Sequence, residues 1–125
     1  MLRKDFIKKI NEYKIKVVKL TKKSKTIFVL SIPVNEKNQI INSLLLIQSG
    51  KIIQSFEKKE LPNYGVFDEK RYFSSKTKKK LLNYNNKNID FLICEDMWSD
   101  NFESYKLNHK IVYIFIINAS PFEYK

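Results

Sequence analysis

The sequence has few of the residues that bind metals, form disulfides or permit tight turns. Its 125 residues include one cysteine, Cys94, one histidine, His109, two glycines and three prolines. A single cysteine excludes a disulfide within the chain, and a single histidine argues against a zinc site built from cysteine and histidine. We therefore expect no metal site, and a free thiol favours the reducing cytoplasm as the location.

Long apolar runs are also missing. The longest, Ile111 to Ile117, is far shorter than the roughly 20 residues that a transmembrane helix needs. The N-terminus is charged but leads into an amphipathic pattern, which is not typical of a secretory signal. We expect no association with a membrane.

Arginine is scarce even though the formal net charge is +11. The 24 basic residues include only Arg3 and Arg71 as arginines, which leaves 22 lysines. Surfaces that read nucleic-acid bases depend on the forked donors of arginine, so this composition favours a solvated surface. A noncatalytic basic module that binds nucleic acid stays open as a less favoured alternative, because clustered lysines do bind phosphates.

What is present is enough apolar sequence for one globular unit. Hydrophobic residues make up 43% of the chain, and apolar side chains recur at helical spacing in the first twenty residues. Residues 26–32 are rich in branched and aromatic side chains, which predicts a strand that ends at Pro33. Two further strands, residues 40–48 and 51–56, flank Ser49-Gly50, where a glycine permits the tight turn of a hairpin.

The second half predicts a long loop followed by an α/β crossover. Residues 61–80 show no period, whereas residues 89–94 and 111–118 are short apolar runs typical of strands covered on both faces. The segment between these strands, residues 99–108, predicts a helix capped by Ser99 or Asp100. A strand, a helix and a strand in this order favour parallel pairing.

Two dense motifs contain the candidate chemistry. Residues 58–69 read Lys-Lys-Glu-Leu-Pro-Asn-Tyr-Gly-Val-Phe-Asp-Glu, and residues 93–98 read Ile-Cys-Glu-Asp-Met-Trp. A thiol attacks as its thiolate, which a nearby cation favours, so Lys58 and Cys94 could together form a nucleophile. The plainer alternatives are a buried cysteine that acts as a small hydrophobe and a solvated lysine.

These motifs closely resemble those of the glutaminase domain of glutamine-dependent NAD synthetases, which belong to the nitrilase-like amidases. Shorter similarities, such as Ile32-Pro33 and the run of residues 118–123, extend the resemblance over almost the whole chain. The resemblance implies an α/β fold that is part of the four-layer α-β-β-α nitrilase-like sandwich. It also implies that residues 1–125 are the central part of such a domain.

The resemblance also implies a role for individual residues. Cys94 matches the nucleophile that attacks the side-chain amide of glutamine, and Lys58 matches the lysine that stabilises the oxyanion and favours the thiolate. Glu69 matches a glutamate that supports the lysine and the substrate. Tyr64 and Ser120 match positions that contact glutamine. We expect Trp98 and Phe67 to belong to the core or to a pocket wall.

Parts of the family pattern are not found in this sequence. The catalytic general base, a glutamate in a Phe-Pro-Glu context, has no counterpart, and neither do the remaining strands of the domain or the synthetase domain that uses ATP and Mg. We therefore expect no cofactor in these residues and little turnover by them alone. The intact enzymes of the family oligomerise and pass ammonia to the synthetase domain. Another nitrilase-like amidase is the nearest alternative, although the residues of the first motif disfavour it.

Overall fold

The described part of the chain forms two three-stranded sheets and two α-helices. The structure is a computed structural model that describes residues 3–75, 80–99 and 102–119. The longer elements are α1 (Lys4–Leu20), β1 (Phe28–Glu36), β2 (Gln39–Gln48), β3 (Lys51–Glu57), β4 (Leu82–Tyr84), β5 (Lys87–Ile93), α2 (Phe102–Asn108) and β6 (Ile111–Ile117). Short 3-10 helices lie at Thr21–Lys23, Glu69–Arg71 and Cys94–Trp98.

The two sheets differ in their strand pairing. In the first sheet, β2 lies between β1 and β3 and pairs antiparallel with both. In the second sheet, β5 lies between β4, which is antiparallel to it, and β6, which is parallel to it. The parallel pair is possible because α2 and its flanking turns return the chain to the starting end of the sheet.

The sheets pack face to face around an apolar cluster. Phe56 of β3 contacts Phe91 of β5, with ring centroids 5.0 Å apart. Alternate residues of β2 and β5 complete the cluster, since residues two apart in a strand share one face. Its buried members are Leu44, Leu46, Phe56, Ile89, Phe91 and Ile93.

The helices cover the outer faces of the two sheets. Ile7 and Ile10 of α1 line a groove with Ile32 and Val34 of β1. Val34 pairs with Ile41, so both share the face of the sheet that carries the buried Leu45 and Ile47.

On the far side of the second sheet, Tyr105 of α2 lies against Asp90 of β5. Burial, the charge of Asp90 and a hydrogen bond to it raise the pKa of the Tyr105 phenol. The layers therefore run helix, sheet, sheet, helix, which confirms the expected partial α-β-β-α sandwich.

Most of the predicted elements are confirmed. The first helix, the hairpin at Ser49-Gly50 and the parallel strands separated by a helix all form as expected. At the hairpin turn, Ser49 and Gly50 have φ of 51° and 76°, the pair of positive angles that a type I′ turn requires. The predicted cap Asp100 lies outside the described residues.

Two predictions about local structure are wrong, and one strand was missed. The strand predicted to end at Pro33 continues to Glu36, because β1 is an edge strand and can include a residue without an N–H. Strand β4 was not predicted; it pairs with the start of β5 across a turn at Asn85 and Asn86. Strand β6 is largely exposed rather than covered on both faces. Trp98, expected in the core or in a pocket wall, is 71% exposed, which excludes it from the core.

Candidate active site

Lys58 is a buried cation just past the end of β3. Its backbone N–H donates to the carbonyl of Asn42 at 2.8 Å, which continues the pairing with β2 by one residue. Alternation along the strand places its side chain on the same face as Phe56, toward the second sheet. Lys58 is only 2% exposed, which is unusual because a lysine is rarely buried without a partner.

The partner of Lys58 is Glu69. The Lys58 Nζ lies 2.5 Å from the Glu69 Oε1, and the two side chains are 3% and 19% exposed. The backbone N–H of Glu69 donates to the carbonyl of Pro62 at 3.1 Å, which closes the loop between these two residues. The second oxygen of Glu69, Oε2, is buried and has no hydrogen-bond partner among the described residues. This oxygen can accept a hydrogen bond from a ligand.

Cys94 lies where β5 ends and a 3-10 helix begins. The cysteine is half-buried and packs against the cluster between the sheets. Its φ of 49° is in the left-handed region, which costs an L-residue about 1–2 kcal/mol. Residues held in such conformations concentrate at functional sites, so the backbone gives independent support for a special role of this cysteine.

Asp96 joins the two motifs. Its Oδ1 accepts hydrogen bonds from the backbone N–H groups of Lys59 at 2.9 Å and Glu60 at 2.8 Å. Its Oδ2 accepts from the N–H of Ile93 at 3.2 Å. The carboxylate therefore connects the backbone that follows Lys58 with the turn that contains Cys94.

A second link lies at the rim of the site. The hydroxyl of Tyr64 donates to Glu95 Oε1 at 2.8 Å, and Tyr64 stacks edge-on with Phe67. The hydrogen bond to Glu95 is the main cause that raises the pKa of Tyr64. Desolvation and the charges of Glu95 and Cys94 raise it further. Tyr64 therefore keeps its proton and lies within electrostatic reach of Cys94.

An open cleft of about 440 Å³ lies between the two motifs. Its wall has two basic side chains, Lys59 and Lys70, and two acidic ones, Glu60 and Glu95. Neutral loop residues complete the wall. Cys94 and Lys58 are not part of the lining, but each directly precedes a lining residue. The cleft has room for a small polar molecule that carries both charges.

The structure brings some of the predicted site residues together. It pairs Lys58 with Glu69 and brings Tyr64 next to the residue that follows Cys94. Ser120 lies outside the described residues. In the described part of the chain no cluster of three potential ligands could hold a metal ion, and no helix is long and apolar enough to cross a membrane.

Sequence reasoning did not assign roles to Glu95 and Asp96. The available signal was a pair of acidic residues directly after a cysteine at the end of an apolar strand. Acidic residues favour the first turn of a helix and often cap it, which hides any other role. Their partners in the first motif, Tyr64, Lys59 and Glu60, lie more than 30 residues away in sequence, so only the fold reveals these contacts.

The layered fold, the Lys58–Glu69 pair and the Cys94 turn that Asp96 links to it are typical of a carbon-nitrogen hydrolase. The family model described as carbon-nitrogen hydrolase matches residues 11–125, and the chain belongs to this family.

Its curated relatives are glutamine-dependent NAD(+) synthetases. The Aquifex aeolicus protein is 30% identical over 98% of this chain and 22% of its own length. The Acinetobacter baylyi protein is 36% identical over 70% of this chain and 16% of its own length. The solved glutamine-dependent NAD+ synthetase of Acinetobacter baumannii is 30% identical, with a TM-score of 0.85 over 98% of this chain and 23% of that one. The chain thus spans about a fifth of the length of these proteins.

Proposed function

We propose that this chain is the central part of a glutaminase domain that releases ammonia from glutamine. The observation that carries the proposal is the buried Lys58–Glu69 pair, whose backbone is tied to the Cys94 turn through Asp96. The similarity to glutamine-dependent NAD(+) synthetases over 98% of the chain supports glutamine as the substrate. In a longer protein, the ammonia would serve to amidate nicotinate adenine dinucleotide.

The proposed reaction passes through a thioester. The Cys94 thiolate attacks the side-chain amide carbon of glutamine, a C–S bond forms, and the carbonyl oxygen becomes negative. The ammonium of Lys58, which is itself buried, stabilises that charge. The C–N bond then breaks, the nitrogen takes a proton and leaves as ammonia, and water cleaves the thioester to give glutamate and the free thiol.

The remaining groups are assigned to substrate binding and support. Glu69 holds the lysine and offers its buried Oε2 to the amide N–H of the substrate. Tyr64 and Ser120 are proposed to contact glutamine. The mixed charges of the cleft suit an amino acid, whose ammonium and carboxylate need partners of opposite sign. This distribution also argues against a nucleic-acid groove, which would be uniformly basic.

The proposal assigns other steps to parts of a longer protein. The general base is proposed to come from a further segment, and ATP and Mg are proposed to bind a synthetase domain that accompanies this one. We propose that such a protein is cytoplasmic and oligomeric. For the 125 residues alone we expect little turnover, because loss of a general base typically costs about 10²–10⁴-fold in rate.

A glutamine-like chloromethyl ketone tests the proposal. We expect one adduct per chain by intact-mass spectrometry, protection by excess glutamine but not by acetamide, and no adduct with Cys94→Ala. Equal protection by simple amides would favour another amidase. Labelling that glutamine does not slow, combined with binding to DNA that weakens steeply with salt, would contradict the proposal and favour a nucleic-acid module.

A further inference from the structure

Asp96 is more deeply buried and has more hydrogen-bond partners than a surface loop carboxylate. It is 7% exposed and accepts three backbone N–H groups. Two of these donors, Lys59 and Glu60, are 37 and 36 residues away in sequence. Ordering so distant a segment has an entropic cost, which charge-assisted hydrogen bonds are strong enough to offset.

Capping alone does not account for these contacts. An acidic residue at the third position of a helix often accepts the N–H of the residue that precedes the helix, and the bond from Ile93 to Asp96 is of this kind. That role uses one carboxylate oxygen. The other oxygen accepts both amides of the lysine segment, which no helix cap requires.

The contact fixes the backbone on both sides of Lys58. The N–H of Lys58 donates to Asn42, and the next N–H along the chain, that of Lys59, donates to Asp96. The carbonyl carbon of Lys58 is bonded to the amide nitrogen of Lys59, whose N–H donates to Asp96. Because the peptide unit is planar, Asp96 thereby holds the peptide plane that follows Lys58. The lysine therefore leaves the backbone at a point fixed relative to the second sheet.

The same carboxylate fixes the cysteine turn. Its Oδ2 holds Ile93, the residue before Cys94, while Asp96 itself lies two residues after Cys94. The left-handed backbone of Cys94 thus lies within a ring that the hydrogen bond from Ile93 to Asp96 closes. Such closure is one way in which a structure maintains an otherwise unfavourable conformation.

We propose that Asp96 is a positioning residue that sets the distance between the Lys58 ammonium and the Cys94 thiol. This inference rests on the proposed function. Asp96 does not touch the substrate and moves no proton. It acts through the backbone of both groups, and errors of about 1 Å between reacting groups are enough to reduce a rate by roughly a hundredfold.

The test measures how fast iodoacetamide alkylates Cys94 across pH 6–9 in the 125-residue chain. Asp96→Asn places an amide N–H₂ against one of the backbone donors and should slow alkylation at neutral pH by about tenfold. The matched control is Asp68→Asn, which alters an exposed carboxylate in the loop that carries Glu69. The lysine-free reference is the double variant Lys58→Met/Glu69→Gln, which leaves no buried charge unpaired.

Asp96 must act through Lys58 if it is a positioning residue. Adding Asp96→Asn to the lysine-free reference should therefore slow alkylation no further, whereas a separate structural effect would add to it. If the reference alkylates slowly and Asp96→Asn behaves like Asp68→Asn, the inference is overturned while the proposed function stands. If the reference itself alkylates as fast as the unmodified chain, the proposed function fails.

If a variant does not fold, amide hydrogen exchange in the unmodified chain tests whether Asp96 holds the segment after Lys58. The Lys59 and Glu60 amides lie beyond the last residue of β3, yet they should exchange as slowly as amides within the sheet, since Asp96 binds them. Exchange at the rate of an exposed loop would overturn the inference.

Discussion

Two residues, Lys58 and Glu69, form an ion pair that is almost closed to solvent. The net contribution of a buried ion pair to stability is small, because burial of each charge costs several kcal/mol that only a well-placed partner offsets. Here the lysine has one carboxylate within reach, and that carboxylate retains a buried oxygen without a partner in the described residues. The pair therefore contributes to the site more than to stability, and it is sensitive to loss of either charge.

Replacing Glu69 by Gln tests this pair. We expect a loss of about 2–4 kcal/mol in the free energy of unfolding, since the amide keeps a hydrogen bond but leaves the ammonium of Lys58 without a counter-charge. Urea unfolding followed by circular dichroism measures it.

Asp68→Asn is the control, because the Asp68–Arg71 pair is exposed, with 3.4 Å between charged atoms, and should be worth less than about 1 kcal/mol. Equal losses from the two variants would show that burial of the Lys58–Glu69 pair has no energetic consequence.

At the scale of elements, the turn between β2 and β3 is anchored on the end of α1. Thr21 is 3% exposed, and its hydroxyl donates to the carbonyl of Val18 at 2.9 Å while accepting the N–H of Gly50 at 3.1 Å. A side chain at position 50 would meet the backbone of Lys22 at 3.3 Å, and the φ of 76° disfavours other residues as well. The turn and the helix end therefore hold each other in place.

Thr21→Val keeps the shape of the side chain but removes both hydrogen bonds. We expect a loss of about 1–3 kcal/mol in stability, because the N–H of Gly50 loses its partner at a partly buried position. The midpoint of thermal unfolding measures the loss. Thr26→Val, at an exposed position, should leave the midpoint unchanged, and a matching shift in both variants would refute the anchoring role.

How far the sequence predicts the structure also depends on the element. Strands β2, β3 and β5 carry strong apolar patterns and a turn with glycine, so their approximate positions could be predicted. Strand β4 has three residues, too few for a pattern, and β1 includes Pro33 because of its place at the sheet edge. Lys58 and Cys94 were identifiable from their motifs. The contacts of Asp96 could not be predicted, since they depend on how two distant segments meet.

At the scale of the whole molecule, charge and apolar surface are distributed unevenly. The net charge of +11 contrasts with the cleft, whose wall includes two acidic and two basic side chains. Strand β6 lies at the edge of its sheet, and its side chains Val112 and Phe115 are 53% and 50% exposed. Burial of both faces of a strand requires a covering layer, which the described residues do not provide there. Cys94, in contrast, is half-buried and packs against the apolar cluster between the two sheets.

The central claim is that folding turns Cys94 from an ordinary thiol into an activated nucleophile. The most direct measurement compares the rate of its alkylation by iodoacetamide at neutral pH in the folded chain and in the same chain unfolded by guanidinium. We predict faster reaction in the folded chain, because the proposed active site places the Lys58 ammonium beside the thiol. A folded chain that reacts more slowly than the unfolded one would contradict the claim and identify Cys94 as a buried hydrophobic residue.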